Sequence, residues 1–195
     1  MLSERQEQII KASIDLIDNK GIQGFTIKNL SKAIGISEPA IYRHFESKFE
    51  ILATILDNFQ IQITSFHNKF KDIEGDAFAK LSMLLKNRFT SFAENPALVS
   101  VVFSEEIFQN EKKLIEKVNE IYRLNENILI SILQQAKDEN QIDKSADVEI
   151  LALMVLGSIR LLVKKWKMTH YSFNLQVEGQ KLQDNTLKLF KKDNK

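Results

Sequence analysis

A chain of 195 residues, 44% hydrophobic and with a formal net charge of +1, suffices for one large domain or for a small one joined to a medium one. Six glycines, two prolines and no cysteine exclude a disulfide scaffold, a thiolate nucleophile and a cysteine zinc site, and they favour long helices over many turns. The near-neutral balance excludes a polycation, so nucleic-acid binding would have to come from a local patch.

The amino terminus, MLSERQEQ, is polar and has no apolar leader region, so the expected location is cytoplasmic. Ser3-Glu4-Arg5-Gln6 fits a capping box, in which hydroxyl and amide satisfy free N–H groups at a helix start. Ile10, Ile14 and Ile17 then recur at helical spacing, and Gly21 is read as the stop of this helix. Thr26 caps a second, short helix carrying Ile27, Leu30, Ala33 and Ile34, which Gly35 ends. Ser37 caps a third, and Pro39 fits its first turn because an N–H there has no helical partner to lose. Ser47-Lys48-Phe49-Glu50 is a second capping box. It opens a long helix with Leu52, Leu56, Phe59, Ile63, Phe66 and Phe70 at alternating spacings of four and three.

Further along, Phe78, Leu81, Leu85, Phe89 and Phe92 make one stripe, broken at Asn95-Pro96. A short helix is predicted from Ala97 to Phe108, and a long one on Leu114, Val118, Ile121, Ile128 and Ile132. Asp138 to Asp147 reads as a polar loop. Ile150 to Val163 is nearly all apolar, but it spans only 14 residues and contains Arg160. A membrane span needs about 20 apolar residues, so a core or interface helix is expected and no membrane partner. The last helix carries Leu175, Leu182 and Leu189, seven apart. With no strand alternation and no repeat, the expectation is an all-α fold of about nine helices.

Residues 26 to 45 hold two short helices joined by a tight turn at Ala33-Ile34-Gly35-Ile36-Ser37. Ala33 is small enough for the helices to approach, Gly35 can take a positive φ, and Ile36 can plug the space between them. This is the layout of a helix-turn-helix, whose second helix enters a major groove about 12 Å wide. From Lys20 to Lys48 there are five basic residues (Lys20, Lys28, Lys32, Arg43, Lys48) and two acidic ones (Glu38, Glu46), a local net of +3 suited to phosphates.

The string Phe25-Thr26-Ile27, Leu30, Ala33, Ile36-Ser37, Ile41-Tyr42, His44-Phe45, Ser47-Lys48, Ile51-Leu52 resembles the N-terminal signature of TetR/AcrR transcriptional regulators. The likeness covers about a quarter of the chain; downstream it lies only in helix count and length. It implies a DNA-binding domain over residues 1–47 and a larger ligand-binding and dimerisation domain over residues 48–195. Thr26 and Lys28 would meet the backbone or a nearby base. Ser37, Glu38, Pro39 and Ala40 would lead the recognition helix toward base edges. Tyr42, Arg43 and His44 would face the duplex, Tyr42 and His44 touching phosphate or sugar. Lys48 would hold a phosphate together with its helix N-terminus. Pro39-Ala40 stand where the family often has a glycine. Glu38 is acidic, which suits the amine of cytosine or repels phosphate.

The resemblance implies a ligand-relieved repressor that binds a near-palindromic double-stranded operator as a homodimer. Leu175, Leu182 and Leu189 with the apolar face of 150–163 are the expected four-helix dimer interface, in which Gly179 allows close approach. Phe89, Phe92, Phe103, Phe108, Tyr122, Asn125 and Arg160 are the expected effector pocket, with Arg160 anchoring an acidic head group. Asn125 and Arg160 are polar where the pattern calls for apolar residues; a satisfied core hydrogen bond and a surface position are their plainer readings. Such a lining suits an apolar or amphipathic effector.

His44, His67 and His170 lie far apart, so no metal site is expected. Glu105-Glu106 point about 100° apart on a helix and cannot share a substrate. No nucleophile–base pair, Gly-rich phosphate loop or cofactor motif is present, so an enzyme is not expected and no cofactor is assigned. A helical interaction module with an incidental basic end is the remaining rival.

Overall fold

The computed structural model describes residues 2–71, 75–103 and 111–192; among them are nine α-helices and no strand. In chain order they are α1 (Glu4–Gly24), α2 (Ile27–Ile34), α3 (Glu38–Tyr42), α4 (Lys48–Lys71), α5 (Ala77–Glu94), α6 (Pro96–Val102), α7 (Lys112–Asp138), α8 (Val148–Met168) and α9 (Leu175–Phe190). No helix among the described residues is long and apolar enough to cross a membrane.

Side-chain caps set most of the helix starts. Ser3 and Gln6 form the reciprocal capping box at α1. Thr26, Ser37, Asp76, Asp147 and Asn174 each accept a backbone N–H at the start of α2, α3, α5, α8 and α9. At α4 the box is offset: the Ser47 hydroxyl accepts from the Glu50 N–H at 3.2 Å, while the Glu50 carboxylate reaches past Ser47 to the Glu46 N–H at 2.5 Å.

Two boundaries differ from the sequence reading. Gly21 takes φ 65° and kinks α1 without ending it; the helical turn resumes to Gly24 and closes with the Phe25 N–H on the Ile22 carbonyl at 3.2 Å. The short helix after Pro96 ends at Val102, and residues 104–110, with Glu105, Glu106 and Phe108, lie outside the described residues.

The chain divides into two compact units. The first comprises Met1–Gln62 and Pro96–Glu120. Ile9, Phe25, Leu30, Ile41, Ile51, Val99, Val101 and Leu114 are wholly buried in it. There α6 packs on α1, the Ser100 hydroxyl donating to the Asp18 carboxylate, and a Lys117–Asp57 ion pair links α7 with α4.

The second unit comprises Ile63–Asn95 and Ile121–Lys195. Leu81, Leu85, Phe89, Leu129, Leu133 and Val163 fill its interior. α9 packs on α5 and α8, and Gly179 permits the α5 contact: a Cβ there would lie 2.3 Å from Cδ2 of Phe89.

Candidate nucleic-acid interface and interior polar site

The reader helix α3 is held from below and free on top. Gly35 adopts the left-handed conformation (φ 76°, ψ 31°) at the end of α2, which L side chains rarely adopt. Its N–H bonds the Ser31 carbonyl at 2.9 Å and that of Ile36 bonds the same oxygen at 3.1 Å, which turns the chain sharply into Ser37. The Ser37 hydroxyl then accepts the Ala40 N–H at 3.3 Å and starts α3. Ile41 and Phe45 are buried beneath it, and Gln6 of α1 donates to the His44 carbonyl at 3.3 Å. Ala33, read as the small residue at the helix contact, is exposed. Burial of Leu30, Ile41 and Phe45 closes that space instead, because these larger side chains point inward from both helices.

The outward edge of α3 meets no protein. Ser37, Glu38, Pro39 and Arg43 are exposed, Tyr42 is 50% exposed, and Ala40 and His44 are half-buried. Thr26 and Lys28 are exposed at the start of α2. Lys48, half-buried at the start of α4, places its ammonium 5.1 Å from the centre of the Phe25 ring, and burial lowers its pKa. An anion brought to Lys48 would oppose that shift by favouring the charged form.

Of the expected pocket residues, Phe108 lies outside the described residues and the others are divided between the two units. Phe103 is half-buried in the first unit. Phe89 and Phe92 are buried in the second. Phe89 lies against Gly179 and lines a half-open cavity of about 320 Å³ with Lys86, Thr90, Gln180 and Gln183. Arg160 donates to the Tyr122 hydroxyl and stands over its ring, 5.8 Å from the centroid. Asn125 accepts a hydrogen bond from Arg88 and donates to the Ile121 carbonyl at 2.7 Å.

Arg88 was not singled out from the sequence. Burial lowers its guanidinium to about 10, which still leaves it charged at neutral pH. The signal was available: Arg88 interrupts the apolar face of α5 four residues from both Leu84 and Phe92, just as Asn125 interrupts α7. Gln183 is a second such residue, 6% exposed in α9, with a side-chain oxygen that has no partner among the described residues.

On α9, Leu175 and Gly179 are buried by their own chain, Leu182 is half-buried and Leu189 is 81% exposed. The apolar surface left open is mainly on α8, where Ile150, Leu153, Met154, Leu161 and Met168 are exposed along one side. No group of three or more His, Asp or Glu residues that could hold a metal ion occurs among the described residues.

Residues 9–55 match the family model described as bacterial regulatory proteins, tetR family, and residues 56–191 match that of the YsiA-like protein, C-terminal region. The nucleoid occlusion factor SlmA of Vibrio cholerae is 26% identical over 156 residues, 80% of each chain. Among solved structures, the fatty acid degradation regulator FadR of Bacillus halodurans superposes with a TM-score of 0.82 at 23% identity, over 96% of both chains. FadR of Bacillus subtilis, solved in complex with stearoyl-CoA, gives a TM-score of 0.75 at 26% identity, over 94% of this chain and 96% of that one. A reader helix open to solvent, a larger helical remainder and these two matches end to end agree: the chain belongs to the tetR family of bacterial regulatory proteins and is a DNA-binding transcriptional regulator, not an enzyme.

Proposed function

We propose that the protein is a homodimeric repressor that leaves a near-palindromic operator when a small amphipathic effector binds. Residues 1–47 act as the reader and residues 48–195 as the sensor and dimerisation domain, working in the cytoplasm where the DNA is. The observation that carries this reading is the exposed edge of α3 above a buried anchor. Ser37, Glu38, Pro39 and Ala40 approach base edges, while Thr26, Lys28, Tyr42, Arg43, His44 and Lys48 contact phosphate or sugar. The exposed stripe on α8, together with exposed Leu189 on α9, supports pairing with a second copy. Such a dimer presents its two reader helices to successive major grooves about 34–36 Å apart.

The complex of the Bacillus subtilis relative with stearoyl-CoA supports an acyl chain carrying a polar head as effector. α4 and α7 each contribute residues to both compact units, so a ligand that prefers one pose of these helices shifts the reader.

The test is operator binding by fluorescence anisotropy, on duplexes from upstream of the protein's own coding region, with and without lauroyl-CoA. Affinity should fall steeply with salt, and lauroyl-CoA should weaken it. Tyr42→Ala and Lys48→Ala should weaken binding to all duplexes by a similar factor, about 5- to 20-fold, whereas Glu38→Ala should change which duplex is preferred. Salt-insensitive binding, or an identical loss on every duplex from all three changes, would overturn the assignment.

A further inference from the structure

The inward face of α5 is apolar except at one position. Leu81, Leu84, Leu85, Phe89 and Phe92 are all buried, and Arg88 stands among them, half-buried. Its Nη2 donates to Oδ1 of Asn125, while Nδ2 of Asn125 donates to the Ile121 carbonyl at 2.7 Å. That second bond fixes the amide with its oxygen toward the arginine. A guanidinium offers five N–H donors, and a single neutral oxygen satisfies only one of them. No carboxylate among the described residues forms an ion pair with Arg88. A cation half-buried beside leucines and phenylalanines is better held when an anion joins it than by water alone, and its remaining N–H groups are open to receive one. The desolvation that lowers its pKa has the same origin. Arg160 differs, since a tyrosine hydroxyl and ring already engage it.

We infer that Arg88 receives an oxyanion carried by the effector, with Asn125 as a positioning residue that holds the guanidinium plane. The effector is therefore an acid, a carboxylate or phosphate ester on an apolar body, and not a neutral lipid. The inference rests on the effector reading above and adds the residue and the charge that select the ligand. A planar fork suits such an acid because two parallel N–H groups can meet two oxygens of one head group.

Three probes of equal chain length test it: laurate, lauroyl-CoA and 1-dodecanol, titrated by calorimetry into the full-length protein and into Arg88→Met and Arg88→Lys. The wild type should bind at least one of the acids about tenfold or more tighter than the alcohol, the worth of a hydrogen bond to a charged group. Arg88→Met should erase that preference, and Arg88→Lys should keep part of it. Sensitivity of laurate binding to Arg88→Met assigns the anion to a carboxylate; sensitivity of lauroyl-CoA binding alone assigns it to the phosphates. Without ligand, Arg88→Met should melt within about 2 °C of the wild type or above it, because no buried carboxylate is left behind.

Retention of the acid preference in Arg88→Met overturns the inference, as does a melting point more than about 6 °C below wild type in the absence of ligand, which marks a structural ion pair. Equal binding of all three probes by the wild type, with DNA release, leaves the effector reading standing and removes Arg88 from it. No binding of any probe overturns both.

Discussion

Among the described residues of the unit built from Met1–Gln62 and Pro96–Glu120 the buried polar ones are three serines, and each has a partner. Ser13 donates to the Ile9 carbonyl at 2.7 Å, Ser31 to the Lys28 carbonyl at 2.9 Å, and Ser100 to Asp18. In the unit built from Ile63–Asn95 and Ile121–Lys195 the polar residues on inward faces are larger: half-buried Arg88 has one neutral acceptor, and the buried Gln183 side-chain oxygen has none among the described residues. One unit has a settled interior and turns polar side chains outward along α3. The other keeps an unpaired amide oxygen inside and a half-buried guanidinium beside its apolar face. A reader needs a rigid platform for an exposed edge, whereas a sensor needs interior groups whose partner arrives from solution.

The sharpest way to break this contrast is to open the settled interior. Phe25 is wholly buried and its ring lies under the Lys48 ammonium. Phe25→Ala should cost about 3–5 kcal/mol in urea denaturation followed by circular dichroism, the usual range for a buried ring lost from a packed core. A cost under about 1 kcal/mol would show a reader platform far looser than its burial implies.

A smaller effect is expected where the second unit is tightly packed. Gly179→Ala brings a methyl to 2.3 Å from the Phe89 ring, so α9 or the ring must move. The loss should be about 1–3 kcal/mol, and Gly179→Ala with Phe89→Leu should recover part of it in a double-mutant cycle. No recovery would place the strain elsewhere.

The two units also differ in how far the sequence reveals them. The turn through Gly35 and the caps at Ser3, Thr26 and Ser37 are local: each depends on residues within five positions, so spacing alone points to them. Tyr42, Glu38 and Pro39 could be placed on an outer edge for the same reason, since Ile41 and Phe45 must face inward. What was not legible depends on which helix faces which. Arg88 and Asn125 are 37 positions apart, and neither residue's neighbours announce the other. Gly179 illustrates the limit well. A small residue in an amphipathic helix signals a close approach, and it was read as an approach to a second copy, but the ring it admits belongs to α5 of the same chain.

Gln183 gives a prediction of opposite sign. Its oxygen carries a desolvation cost with no bond to offset it, so Gln183→Leu should leave stability unchanged or raise it by up to about 1 kcal/mol. A loss of more than about 1 kcal/mol would mean that the amide is satisfied in the folded protein.

The smallest effect is at the surface of the second unit and depends on pH. Asp76 caps α5, accepting the Ala79 N–H at 2.7 Å, and this bond holds its carboxyl below the ordinary carboxylate value. Asp76→Ala should cost about 0.5–1 kcal/mol at pH 7, the lower part of the range for caps because the site is exposed to solvent. A carboxyl whose pKa is lower in the folded state contributes its stabilisation above the unfolded value and loses it as pH falls through the folded one. The gap between wild type and Asp76→Ala should therefore be constant from about pH 7 to 5 and close below about pH 4, whereas Asp76→Asn, which caps without charge, should show little dependence over the same interval. A gap that widened on acidification would mean that the neutral acid is the form the folded chain prefers, and the N–H groups at the start of α5 would then not be its partners.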